Sequence, residues 1–141
     1  MLHEQKRKGH RIEFTGGLEA RRLRPWHVNF LRALSPKQMF FAYDTPDDLE
    51  PLREAGRLLL SSGWTTRSHC LRAYVLCGYP GDTISSAEER MRGTIESGFL
   101  PMAMAWRDEK GRLSGEWPKF QRLWARPAII GRVGNGEYIG L

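Results

Sequence analysis

The chain has 141 residues, 40% of them hydrophobic and 27% charged, with a formal net charge of +6 and a pI near 9.7. That length builds one domain with a real core and leaves no room for two ordinary ones. No stretch reaches the roughly 20 apolar residues of a membrane span, no apolar run follows the basic start as a secretory signal requires, and two cysteines are too few for a disulfide framework, so a reducing cytoplasm is the expected compartment.

The positive balance permits a nucleic-acid partner without requiring one. Lys6, Arg7, Lys8, Arg21, Arg22, Arg53, Arg57, Arg90, Arg92, Arg122 and Arg126 are spread along the chain, which reads as solvated helix faces.

In chain order, residues 11–15 form a short expected strand broken by Gly16-Gly17. A helix follows, with Pro25 in its first turn, Val28, Leu31 and Leu34 at helical spacing, and Ser35-Pro36 as its stop. The run Gln38-Met39-Phe40-Phe41-Ala42-Tyr43 has strand length and apolar, aromatic content. Thr45, Pro46, Asp47 and Asp48 are a helix-start cluster, with acidic residues at the positive end of the helix dipole. Leu49, Leu52, Ala55 and Leu59 give that helix one apolar face, Gly63 closes it, and Pro51 leaves its start open.

Residues 71–77 are the third expected strand, leading through a Gly78 turn into a helix over about 86–97, with Ser85 and Glu88 as a capping box. Gly98 ends the helix and residues 99–105 form a fourth strand. A last helix is expected over 116–125 with Phe120, Leu123 and Trp124 inward. One domain spans residues 1–141, its core over about 11–127, with a glycine-rich tail at 128–141 expected to be loose. Strand–helix alternation of this kind means parallel strands joined by right-handed crossovers, an α/β fold.

In parallel sheets and barrels, ligands gather at the C-terminal strand ends. Four such ends carry polar or glycine residues: Thr15 to Glu19, Tyr43-Asp44-Thr45, Gly78-Tyr79-Pro80-Gly81-Asp82-Thr83, and Trp106-Arg107-Asp108. The third is a tight glycine turn running into a helix N-terminus, where backbone can approach a ligand closely. Glu19 and Asp82 have the chemistry of acids or bases, although acidic residues at helix starts also serve as caps. His3, His10, His27 and His69 show no metal-ligand spacing, and no P-loop or Gly-x-Ser-x-Gly elbow is present.

The segment Gly78-Tyr79-Pro80-Gly81-Asp82-Thr83 resembles the stretch after the fifth strand of radical SAM enzymes. Phe14-Thr15-Gly16-Gly17-Leu18-Glu19-Ala20-Arg21 is similar to the third-strand segment of some members. The resemblance covers about residues 11–127 and implies a partial parallel (β/α) barrel of about four βα units, the later strands of that fold. It implies S-adenosylmethionine as cofactor, with Gly78, Tyr79, Pro80, Gly81 and Asp82 against its adenosine, Tyr43 and Asp44 making polar contacts, and Glu19 as a further contact. The family's Cys-x3-Cys-x2-Cys loop, which holds a [4Fe–4S] cluster, has no counterpart here. Cys70 and Cys77 are seven apart, on opposite faces of any strand they share, and read as buried structural thiols.

Two expectations follow. The first is the C-terminal part of a radical SAM enzyme, inactive alone and needing its N-terminal half. The second is a stand-alone half-barrel that binds a nucleotide or nucleic acid without redox chemistry and self-associates through its uncovered face and edges.

Overall fold

The computed structural model describes residues 12–125. The basic N-terminal cluster, His3, His10 and the glycine-rich tail lie outside them. The described residues form a four-stranded, all-parallel sheet in sequential order: β1 (Glu13–Leu18), β2 (Gln38–Tyr43), β3 (Leu71–Cys77) and β4 (Leu100–Ala105). Between them run α1 (Pro25–Leu34), α2 (Leu49–Ser61) and α3 (Ile84–Glu96), and α4 (Trp117–Leu123) follows β4. Parallel strands in sequential order, joined by right-handed crossovers, carry all their helices on one face. This is the expected α/β alternation.

Side-chain alternation gives the two faces of the sheet different surroundings. Met39, Phe41, Tyr43, Leu71, Ala73, Val75 and Cys77 are buried in one core with Val28 and Leu31 of α1, Leu52, Ala55 and Leu59 of α2, Ala87 and Met91 of α3, and Phe120 of α4. The alternate residues Gln38, Ala42, Arg72, Tyr74, Leu76, Leu100 and Met102 are only half-buried, and Met104 is 46% exposed. Phe40, on this second face, is covered by its neighbours: the Tyr74 ring stacks on it at 4.4 Å and the Arg72 guanidinium lies 5.8 Å from its centre.

Several local expectations are refined. The Gly16-Gly17 pair does not break β1. The strand runs on to Leu18, and a bulge absorbs the pair: Phe14 pairs with Met39 and Leu18 with Phe41, so three residues stand opposite Phe40. The cluster after β2 forms a short 3-10 turn, Pro46–Asp48, before α2, and Pro51 falls in the first turn of α2, where its missing N–H has no helical partner to lose. The helix after β3 starts at Ile84, and its cap is Thr83, whose Oγ1 accepts from the Ser86 N–H at 3.1 Å, rather than Ser85. Cys70 precedes β3, so the two thiols do not share a strand. Both are buried, Cys70 Sγ donating to the Pro36 carbonyl at 3.4 Å.

Two glycines set helix packing. A Cβ on Gly56 would stand 1.9 Å from the Ser97 carbonyl oxygen, so α2 meets the end of α3 backbone to backbone. Gly98 takes the positive φ that turns the chain from α3 into β4.

Candidate functional site

The C-terminal strand ends hold the predicted residues, and the turn after β3 is the most constrained of them. Asp82 anchors it. Its Oδ2 accepts from the Gly78 N–H at 2.8 Å and from Arg90 Nη2 at 2.5 Å, and its Oδ1 accepts from the Thr83 N–H at 2.9 Å and Arg90 Nη1 at 3.0 Å. Arg90 Nη2 also donates to the Leu76 carbonyl at 3.2 Å. The Tyr79 ring lies against the same guanidinium, 5.2 Å from its carbon. The two side chains are 1% and 10% exposed, so this fork-to-fork pair is buried.

Gly78 and Gly81 both have positive φ, as a tight reversal requires, but their surroundings differ. A Cβ on Gly78 would stand 2.8 Å from the Trp117 ring, so α4 closes over the base of the turn. A Cβ on Gly81 would meet nothing within 4 Å. Pro80 and Gly81 are exposed and Tyr79 is half-buried, so the tip of the turn is open to an approaching molecule. The Asp82 carboxylate is committed to holding the turn.

Tyr43 ends β2 with its side chain on the helix-covered face, 3% exposed. Burial raises its phenol above the usual range, against the opposing pull of Arg90 and Arg53. Arg90 and Tyr79 both act on it, so Tyr43, Tyr79 and Arg90 form one electrostatic neighbourhood across the ends of β2 and β3. Asp44 is exposed, and its carboxyl is raised by partial burial and by Asp48.

Asp48 reaches back to accept from the Asp44 and Thr45 N–H groups at 2.9 and 3.0 Å, and Arg21 pairs with it at 3.3 Å. Burial opposes ionisation of Asp48, but these bonds outweigh it and hold the carboxyl below its ordinary range. Arg21 thereby ties the turn after β1 to the turn after β2. The structure brings Tyr43 and the Gly78 turn together. Glu19 stands apart, exposed and paired with Arg22 at 2.9 Å.

A cavity of about 400 Å³ lies beside β1, lined by Phe14, Leu18, Leu23, Leu31 and Phe41, with Glu19, Arg22 and His27 among its polar groups. None of residues 78–82 lines it. His27 Nδ1 accepts from the Arg24 N–H at 2.9 Å and closes the first turn of α1.

Arg90 escaped the sequence reading, which took the basic residues as solvated. The signal was present: position 90 adjoins the inward stripe Ala87, Met91 and Thr94, and an arginine there needs a buried partner. Gln121 was missed as well. Its Oε1 accepts from the Ala105 N–H at 2.8 Å on the edge of β4.

Cys77 lies in the core and desolvation pushes its thiol up to about 12, which suits an inert structural cysteine. Among the described residues no group of three or more His, Cys, Asp or Glu side chains is placed to hold a metal ion. No helix among them is long and apolar enough to cross a membrane. No protein-family model, curated protein or solved structure matches the chain.

Proposed function

We propose that the chain is the C-terminal part of a radical SAM barrel. It supplies the wall against which the adenosine of S-adenosylmethionine lies, together with part of the substrate pocket, and does not catalyse alone. The carrying observation is the sequential parallel sheet with one face left half-exposed, ending in a glycine turn that a buried Asp82–Arg90 pair fixes with its tip open. Helices on one face and a ligand rim at the strand ends are the arrangement of a barrel wall.

On this reading Tyr79, Pro80 and Gly81 offer the adenine a flat, close-approach surface, and Gly78 sets its angle. Asp82 contributes by shaping the turn, exposed Asp44 lies next along the rim with the Tyr43 side chain buried behind it in the core, and Glu19 is the outlying contact. The cofactor, when bound, supplies the 5′-deoxyadenosyl group. Reductive cleavage belongs to a [4Fe–4S] cluster held elsewhere, because the two cysteines here are buried and too few to ligate one. The reading as a separate nucleic-acid module draws on net charge, yet Arg21, Arg22, Arg53 and Arg57 are engaged with Asp48, Glu19, Glu50 and Glu54.

The test is a titration of the ¹⁵N-labelled chain with S-adenosylmethionine, followed by amide resonances. Saturable shifts centred on Tyr79 and Gly81, lost in Gly81→Val, are expected. Shifts confined to other elements, or none at millimolar cofactor, would sink the assignment.

A further inference from the structure

The N-terminal end of the sheet, opposite the Gly78 turn, holds a second cavity of about 360 Å³. Its lining comes from the end of α1, with Arg32 and Ser35, and from the loop between α2 and β3, with Gly63, Trp64, Thr65 and Ser68. That volume is at the lower end of the range for small-molecule sites.

Hydrogen-bond donors from two elements stand unused there. The Arg32 guanidinium lies against Gly63, where a Cβ would sit 3.7 Å from Nη2. It makes no hydrogen bond or ion pair among the described residues, and neither do the Trp64 indole N–H and the Thr65 hydroxyl. The serine hydroxyls, by contrast, are engaged. Ser35 Oγ donates to the Arg32 carbonyl at 3.2 Å, and Ser68 Oγ donates to the Thr65 carbonyl at 3.0 Å. Among the described residues no carboxylate lines the cavity. Arg67, next to Ser68 in the loop, adds a cation that has no ion pair among them.

The backbone is also held in an uncommon shape here. Among the described residues two non-glycines have positive φ, Ser35 at 48° and His69 at 54°. Ser35 lines the cavity, and His69 sits between the lining residues Ser68 and Cys70. Ser35 closes α1 in a left-handed cap, an ordinary use of that conformation, but His69 closes no helix. Strain of this kind gathers at ligand clamps. Arg32 in the last turn of α1 also complements the helix dipole, yet that role needs neither a cavity nor donors from a second element. The N-terminal end of a parallel sheet ordinarily serves stability, and a stabilising contact would engage the guanidinium rather than leave it open.

We infer that this cavity binds a small organic oxyanion, a carboxylate or a phosphate monoester, whose charged end pairs with the Arg32 fork and whose flat body lies by the Trp64 indole. An acceptor-only group matches the three free donors, whereas a cation would meet no carboxylate. The C-terminal dipole ends of α1 and α2 oppose an anion, so its binding depends on the guanidinium. The site is separate from the adenosine wall and does not rest on that reading.

The test is a titration of the ¹⁵N-labelled chain with phenyl phosphate and, separately, with benzoate, read at the Trp64 indole N–H. Benzyl alcohol and benzylamine serve as the uncharged and cationic controls. Saturable shifts with at least one oxyanion, and none with the controls, are expected. Arg32→Gln should weaken that binding about tenfold or more while leaving the chain folded, because the side chain is exposed. Arg32→Lys, which keeps the charge and loses the fork, should fall between the two. An equal response to either control overturns the site, as does undiminished affinity in Arg32→Gln or the absence of a saturable shift at millimolar probe. Shifts at Tyr79 and Gly81 with S-adenosylmethionine bear on the adenosine wall alone, so either proposal can fail without the other.

Discussion

Within β2 and β3, residues one position apart live in different solvents. Phe41 and Val75 are fully buried under helices, whereas Ala42, Tyr74 and Leu76 on the opposite face keep part of their surface in water. Sequence gives little warning of this difference, because Phe40, Tyr74, Leu76 and Met102 are as apolar or aromatic as the residues facing the core. The apolar content of the second face is thus out of proportion to its burial. A strand face that only ever met water would be expected to alternate with polar residues. The comparison teaches that the helix-covered face stabilises this chain, while the other face is apolar yet only half-buried among the described residues.

The largest effects should come from the covered face and the buried pair. Phe41→Ala removes a fully buried ring that meets Phe99 edge-on and should cost about 3–5 kcal/mol by urea denaturation. Tyr74→Ala on the other face should cost clearly less, and equal losses would refute the two-face description. Asp82→Ala leaves Arg90 buried without its partner, a loss of about 3–5 kcal/mol. Replacing both by apolar residues, Asp82→Leu with Arg90→Met, should restore much of that stability while disordering the turn. If the double variant is no better than the single one, the penalty does not arise from an uncompensated charge.

The two turn glycines sharpen the same contrast over a few ångströms. Gly81→Ala strains only the backbone, at about 1–2 kcal/mol. Gly78→Ala adds a clash with Trp117 on top of that strain, and overpacking typically costs a further 1–3 kcal/mol or so. Thermal denaturation should rank them in that order, and reversal would mean that α4 does not seat on Gly78.

A pH titration probes the covered face from within. The Cys77 thiol is raised to about 12 in the folded chain, against about 8.5 unfolded. A group raised on folding contributes stability that is intact below the unfolded value and lost as pH climbs through the folded one. Between those limits the loss is about 1.4 kcal/mol per pH unit. Denaturation midpoints measured at pH 8 and pH 10 should therefore differ in the wild-type chain by more than in Cys77→Ala. An identical pH dependence would place the thiol in contact with water.

Much of the fold was legible because its signals are local. Val28, Leu31 and Leu34 repeat at helical spacing and all face the core, and β2 and β3 occupy the spans that their apolar runs marked. What escaped depends on contacts distant in sequence. The Gly16-Gly17 pair looks like a break, and only pairing with β2 makes it a bulge. Gly56 sits mid-helix for the sake of Ser97, 41 positions on. At the site, the glycine turn could be read directly, but the role of Asp82 could not. The same acidic residue serves as cap, acid or buried anchor depending on where Arg90 lies two helical turns later.

The smallest expected effect is the one that weighs most on the half-exposed face. Met104→Lys replaces a side chain that is 46% exposed on β4 and should change the stability of the free chain by no more than about 0.5 kcal/mol. If that face is covered when the chain meets its complement, the same charge should weaken the association measurably, because a lysine has to be desolvated there without a partner. A loss of several kcal/mol in the free chain would instead mean that Met104 already packs within it. A variant neutral in both assays would show that the contact surface stops short of β4 and that its apolar residues serve no partner.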